Sequence, residues 1–285
     1  MFAELVSFDI ILIEGGLDIM YKKIVVLVDN SPVMEQVVDY VYNLFPHATL
    51  YLLNVVNLGP FAGYYTKTVF REMKAMGEET LHRLELMLDE KNAKFHTEVL
   101  EGEPVYTLLN YARKEEGELI VIETHSGTSV NKIKIGGTTY NLLVNSHIPV
   151  LLLGENLEIK RSPRILHPTS GSKYSEIATV EVGKLASYWN SQVEALVLRE
   201  PKERFAQRIK EIFGNFHINF SISYADESEI NSILKRAGNS DIIIGSRGSP
   251  RMQYKLRNIF KPFSLDATLK LVVAFLPKPL LLICD

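Results

Sequence analysis

Two glycine-bearing stretches carry the residue types that hold phosphate. In the first, Thr124, His125 and Ser126 are followed by Gly136-Gly137-Thr138-Thr139. In the second, Gly245-Ser246-Arg247-Gly248 opens a segment with five basic residues (Arg247, Arg251, Lys255, Arg257, Lys261) and no acidic residue as far as Lys261. Glycines let backbone N–H groups approach an anion, and a helix N-terminus adds a favourable dipole. Arginine adds bidentate contacts, so the second stretch reads as an anion clamp. The plainer reading of such a run is a solvated loop. Asp29 ends an apolar run, Ile24-Val25-Val26-Leu27-Val28, and is either a binding residue or a loop cap. His125 is suited to touching a phosphate or acting as a base. No Ser or Cys nucleophile is placed beside it, so a loop histidine without catalytic role is the simpler reading.

The elements that must position these residues occur twice. Apolar runs at 23–28, 50–56, 119–122 and 150–153 suit strands buried on both faces, and 95–100 alternates as a strand. Helices are expected from Ser31-Pro32 to about Asn43, and over 67–91, 104–114 and 138–145. The second half repeats the order, with strands near 164–168, 193–198, 218–222, 241–244 and 280–284. Its helices fall near 173–189, 203–213, 226–237 and 264–274. A repeat of this length is a duplicated domain, not a solenoid unit. The βαβαβαβαβ order predicts an α/β fold: two doubly wound domains, each a five-stranded, mostly parallel sheet with helices on both faces. Residues 21–154 form the first domain, 155–162 a linker and 163–285 the second. Ligands of such sheets sit beyond the carboxyl ends of the strands, where the strand order reverses.

Composition narrows the function. The 285 residues suffice for two cores, and a net charge of −3 predicts no general attraction to nucleic acid or anionic membrane. Cys284 is the only cysteine, which excludes an internal disulfide and a cysteine-based zinc site and fits a reducing cytoplasm. Residues 1–20 read as an appendage or a misassigned start, with an extra edge strand as the rival. Their apolar run is too short to span a bilayer. Met73, Met76 and Met87 read as core or interface packing, Trp189 as core, and His167 as a buried or edge histidine.

Three features give both halves a recognisable character. They are Val28-Asp29-Asn30-Ser31, then Glu101-Gly102-Glu103-Pro104 before a helix with a later Thr-His loop, and the closing Ile148-Pro149-Val150-Leu151-Leu152 strand. In these the chain resembles universal stress proteins over nearly all of residues 20–285. The resemblance implies one five-stranded parallel sheet per half, with the halves paired like a dimer through their last strands. One branch of that family binds ATP through Gly-x-x-Gly, nine residues, then Gly-Ser/Thr. Asp29 matches the aspartate beside adenine and ribose, and Val55 lies near the base. In the first half Glu123 and Ser126 replace the two leading glycines, Gly136 remains, and Gly137 stands for the hydroxyl residue, with Thr138 next to it. In the second half Gly245 and Gly248 are present, Ser170 replaces the aspartate, and Asn258-Ile259 replaces Gly-Ser. Glu123 is the main objection, since a carboxylate near a triphosphate repels it unless it points away or holds a cation such as Mg²⁺.

The resulting expectation is a cytoplasmic regulatory binder of ATP or another adenine nucleotide, at most a slow ATPase, with the better site in the first half. The rivals are a partner-binding or dimerisation module with decayed sites, and a binder of another anion through the second-half loop. An adenylating ligase ranks last, because neither Asp29-Asn30-Ser31 nor Ser170-Gly171-Ser172 matches the phosphate loop it needs. Protein partners are not legible. The closing strands are apolar enough to pair within one chain, giving a pseudo-dimer, or between chains, giving a homodimer.

Overall fold

The computed structural model describes residues 20–57, 59, 67–124, 136–154, 157–199, 201–226, 228–247 and 278–284. The N-terminal appendage, His125, Gly248, the remaining basic residues of the second loop and the expected helix at 264–274 lie outside the described residues. The first half runs β1 Lys23–Val28, α1 Met34–Leu44, β2 Thr49–Val56, α2 Lys67–Glu90, β3 Lys94–Glu101, α3 Pro104–Lys114, β4 Leu119–Glu123, α4 Gly137–Asn145, β5 Val150–Leu153. The second runs β6 Ile165–Thr169, α5 Lys173–Trp189, β7 Gln192–Val197, α6 Lys202–Gly214, β8 Asn219–Tyr224, α7 Glu229–Ala237, β9 Ile242–Ser246, β10 Leu280–Ile283.

The ten described strands form one sheet, in the order β3-β2-β1-β4-β5-β10-β9-β6-β7-β8. Each half has the same internal order, and neighbours within a half are parallel. The halves meet where β5 and β10 pair antiparallel, Leu280 opposite Leu152 and Leu282 opposite Val150. Every residue of both strands is buried. Both closing strands are therefore paired on both sides within one chain, and neither is left as an edge for a second copy.

One face of the sheet is covered by α1, α2, α5 and α6, with Val37, Leu84, Val182 and Ile209 in a core that runs through both halves. The other face carries α3, α4 and α7, with Leu108, Leu142 and Ile233. On the first face Trp189 ends α5 and reaches the first half. Its indole N–H donates to the Leu44 carbonyl at 2.9 Å, and its ring lies 5.5 Å from that of Phe45. The tryptophan is core, as expected, but of a core shared between halves. None of the described helices is long and apolar enough to cross a membrane.

Two expectations change locally. Helix α1 starts at Met34 with Val33 as its cap, not at Ser31-Pro32. Asp29 takes the Ser31 N–H on its Oδ1 at 2.9 Å, which forms a turn first and delays the helix. In α2, Met76 is exposed and Gly77 is buried in its place. A Cβ on Gly77 would come within 2.4 Å of the Asn54 amide, so only glycine lets α2 seat on β2 there.

The repeat also keeps a device at the strand starts. The Glu118 carboxylate accepts from the Lys22 N–H, and Asp241 accepts from the Arg164 N–H at 2.9 Å. Asp241 also holds the Lys160 ammonium at 2.7 Å and the Arg164 Nε at 3.2 Å. Burial alone would push its carboxyl up, but the bonds from Arg164 and Lys160 outweigh this and hold it at about 2.

His167 stands in β6 where β1 has Val26, and it is fully buried in an interior strand. Its Nδ1 lies 2.7 Å from the Ile244 carbonyl, which can only accept, so Nδ1 carries the proton. Burial pushes this imidazole down to about 4. The unfolded chain, with an ordinary value of about 6.5, binds a proton that the folded chain refuses. Stability contributed by neutral His167 is therefore present above pH about 6.5 and is lost as pH falls toward about 4, by up to about 3 kcal/mol. Denaturant melts across this range should show that slope, and His167→Val should flatten it by about one proton. Gly171, between β6 and α5, has φ +70° and a Cβ there would sit 2.2 Å from the Phe205 ring. Gly171→Ala should cost about 2–4 kcal/mol in the same assay, from a strained backbone and an overpacked ring.

Candidate functional site

Strand β1 pairs with β2 on one side and β4 on the other, so the chain order reverses at β1. Its carboxyl end carries Asp29, at the position where open parallel sheets bind ligands. The loop is fixed from three sides. Asp29 Oδ1 holds the Ser31 N–H, Asn54 Nδ2 donates to the Val28 carbonyl at 3.0 Å, and the Thr80 hydroxyl lies 3.1 Å from Asn30 Oδ1. Asn54 and Thr80 are both buried. Sequence reading passed over Asn54, Thr80 and Gly77. The one legible signal was an asparagine inside the apolar run Leu50 to Val56.

Helix α4 runs back from the carboxyl end of β4, so its N-terminus faces the same end of the sheet as Asp29. Gly136 is its cap residue and makes no side-chain cap bond. Helices α1 and α6 share that lack, whereas α3, α5 and α7 are capped by Glu103, Ser172 and Ser228. Neither Gly136 nor Gly137 has positive φ, and a Cβ on Gly137 would meet nothing within 4 Å. Both glycines are exposed. Among the described residues, packing and backbone conformation thus give no reason for glycine at either position. Thr138 is partly exposed and Thr139 is buried, so Thr138 is the hydroxyl nearer the surface.

Val55 is partly buried against the α3–α4 face of the sheet, the face that also bears α4. The Thr124 N–H and hydroxyl both bond the Leu153 carbonyl, at 2.7 and 3.2 Å. Thr124 therefore joins the ends of β4 and β5. Glu123 is 7% exposed and pairs in register with Leu153. Val121 and Leu153 belong to the α1–α2 side of the sheet, and Ile122 to the α4 side. Strand alternation puts Glu123 with Val121, on the face opposite α4. The carboxylate is thereby turned from the helix N-terminus that it was expected to oppose. Among the described residues no group of three His, Cys, Asp or Glu could hold a metal ion.

The second half keeps the backbone frame of its repeat partner but departs from it at the site positions. Asp241 N–H bonds the Arg164 carbonyl as Glu118 N–H bonds that of Lys23, and Arg247 N–H bonds the Ile283 carbonyl as Thr124 N–H bonds that of Leu153. Counting between these anchors sets Ser246, not Gly245, opposite Glu123. Gly245 falls opposite Ile122, inside β9, one residue out of step with the glycine motif. Arg247 is only 9% exposed, and its Nη1 donates to the carbonyls of Leu143, at 3.2 Å, and Ser146, at the end of α4. The expected surface clamp is corrected at this residue, because the guanidinium is spent on the other half. At the Asp29 position stands Ser170, and the Phe205 ring lies against Gly171 beside it.

The pattern described as the universal stress protein family matches residues 20–154. Universal stress protein MJ0531 of Methanocaldococcus jannaschii is 31% identical over 140 residues, which cover 47% of this chain and 82% of that protein. A universal stress protein from Archaeoglobus fulgidus superposes with a TM-score of 0.76 at 17% identity, over 92% of this chain and 96% of its own. The cytoplasmic domain of a prokaryotic cation chloride cotransporter has a TM-score of 0.53 at 12% identity, over 92% of this chain and 95% of its own. Structural likeness at these identities speaks for the fold, which serves more than one kind of protein. The family pattern and the 31% identity to MJ0531 over 82% of its length show that the chain belongs to the universal stress protein family.

Proposed function

We propose that this protein is a regulatory binder of ATP or another adenine nucleotide, with one site, in a first domain of residues 21–154. Residues 163–285 form a second domain that binds no nucleotide. The observation that carries the reading is the N-terminus of α4, where a glycine cap without a side chain leads the helix and, among the described residues, no packing calls for glycine at Gly136 or Gly137. Backbone N–H groups of that first turn suit phosphate oxygens, and Thr138 supplies a hydroxyl. Asp29 and Val55, on neighbouring strand ends, supply the ribose and base contacts. Glu123 sits on the far face, so it neither repels the phosphates nor serves as a base for hydrolysis. Turnover should accordingly be slow.

The second domain gives reasons of its own for staying empty. Ser170 removes the carboxylate, Phe205 packs on Gly171, and Arg247 is committed elsewhere.

The test is mass spectrometry of small molecules released from protein purified without added ligand, then calorimetric titration with ATP and Mg²⁺. Near one nucleotide per chain is expected. Gly136→Asp places a carboxylate at the phosphate site and should weaken binding more than tenfold. A chain that ignores ATP, or a Gly136→Asp protein that binds it as well as the wild type, would overturn the reading.

A further inference from the structure

We propose that Arg247, although part of the second half, is a positioning residue for the phosphate site of the first half, acting through α4. This rests on the nucleotide reading above. Helix α4 has nine residues. A helix so short is marginal alone and takes its direction from tertiary contacts. Its length is about 13 Å, so a tilt of a few degrees at one end moves the other by about an ångström. Displacements of that size matter for groups that must meet a ligand in fixed geometry.

The C-terminal end of α4 is where the direction is set. Ser146 is fully buried, its hydroxyl bonds the Ile148 carbonyl at 2.6 Å, and the Ile148 N–H returns to that hydroxyl at 3.1 Å. Onto this closed turn comes the Arg247 guanidinium, bonding two of the carbonyls that the helix leaves open. A cation at this end also complements the negative pole of the helix, as an anion would complement the other. Arg247 is held in turn by its own backbone, since its N–H bonds the Ile283 carbonyl of β10. Strand β10 pairs with β5, the strand that α4 leads into. Contacts from α4 through Arg247 to β10 and back through β5 therefore form a closed ring across the domain boundary. The position used is the one that, in the first half, carries Thr124 beside the proposed site. The second half thus uses this position to brace the helix that carries the first half's proposed phosphate turn.

The test compares wild type, Arg247→Met and Arg247→Lys by calorimetric titration with ATP and Mg²⁺, each first checked for fold by circular dichroism. Arg247→Met should raise the Kd about tenfold with stoichiometry still near one. Arg247→Lys keeps the charge but loses the paired geometry, and should fall between the two. Reduced stoichiometry at an unchanged Kd would mean that the arginine only keeps the chain folded, and overturns the proposal. So does a wild-type Kd in either folded variant, which leaves the nucleotide site standing. No ATP binding by the wild type overturns the site and the brace together. If Arg247→Met does not fold, the Kd of Arg247→Lys decides alone.

Discussion

The antiparallel pairing of β5 with β10 is the constraint on which the rest of the molecule depends. Each half ends in a short apolar strand that would otherwise be an exposed edge. Joining them converts two five-stranded sheets into one sheet of ten and makes both strands interior. Each leucine buried there contributes about 2 kcal/mol relative to an exposed one. Because the join is antiparallel, it relates the halves by a local two-fold. The same faces of the two halves then line up, and each of the two cores runs the full width of the sheet.

The two faces are stitched across that join by different chemistry. On one, Trp189 of α5 donates to the last carbonyl of α1 and packs on Phe45. On the other, Arg247 takes the last carbonyls of α4. Both contacts use helix C-termini, where carbonyls lack partners within the helix. Each supplies donors where the first half has acceptors to spare, and both donors come from the second half.

These two contacts mark where the two halves differ. The shared frame survives in the strand order and in the acid at the start of the fourth strand, Glu118 or Asp241, which holds the first strand's backbone. What has diverged lies at the carboxyl ends of the strands. There the first half has Asp29 and a helix led by the glycines Gly136 and Gly137. The second half has Ser170, a glycine covered by Phe205, and a buried arginine. The first half thus leads α4 with two glycines, and the second half sets Arg247 against the other end of that helix.

Much of the fold was legible in the sequence, because it rests on local periodicity and on repetition. Apolar runs such as Ile24 to Val28 and Leu119 to Ile122 declare buried parallel strands, and a β-α alternation admits few topologies. The candidate site was legible only in its types of residue, Asp29, Gly136, Gly137 and Thr138. Its geometry was not, for reasons that lie in contacts between distant segments. Whether Glu123 opposes a phosphate depends on which face of β4 it occupies, and that follows from register against Leu153. Asn54, Thr80 and Gly77 fix the Asp29 loop only because α2 lies against β2. Gly245 looked like a motif glycine until strand pairing set it one residue out of step. Arg247 looked like a surface cation, and its burial depends on the end of α4, a hundred residues away in the chain, being brought to it. Sequence by itself determined which segments are strands and helices, that they occur twice, and which residue types stand at the strand ends, since those follow from local pattern. Only the tertiary structure decided which of those residues share a face, and which half lends its donors to the other, since burial and hydrogen bonding between distant segments exist only once the sheet has closed.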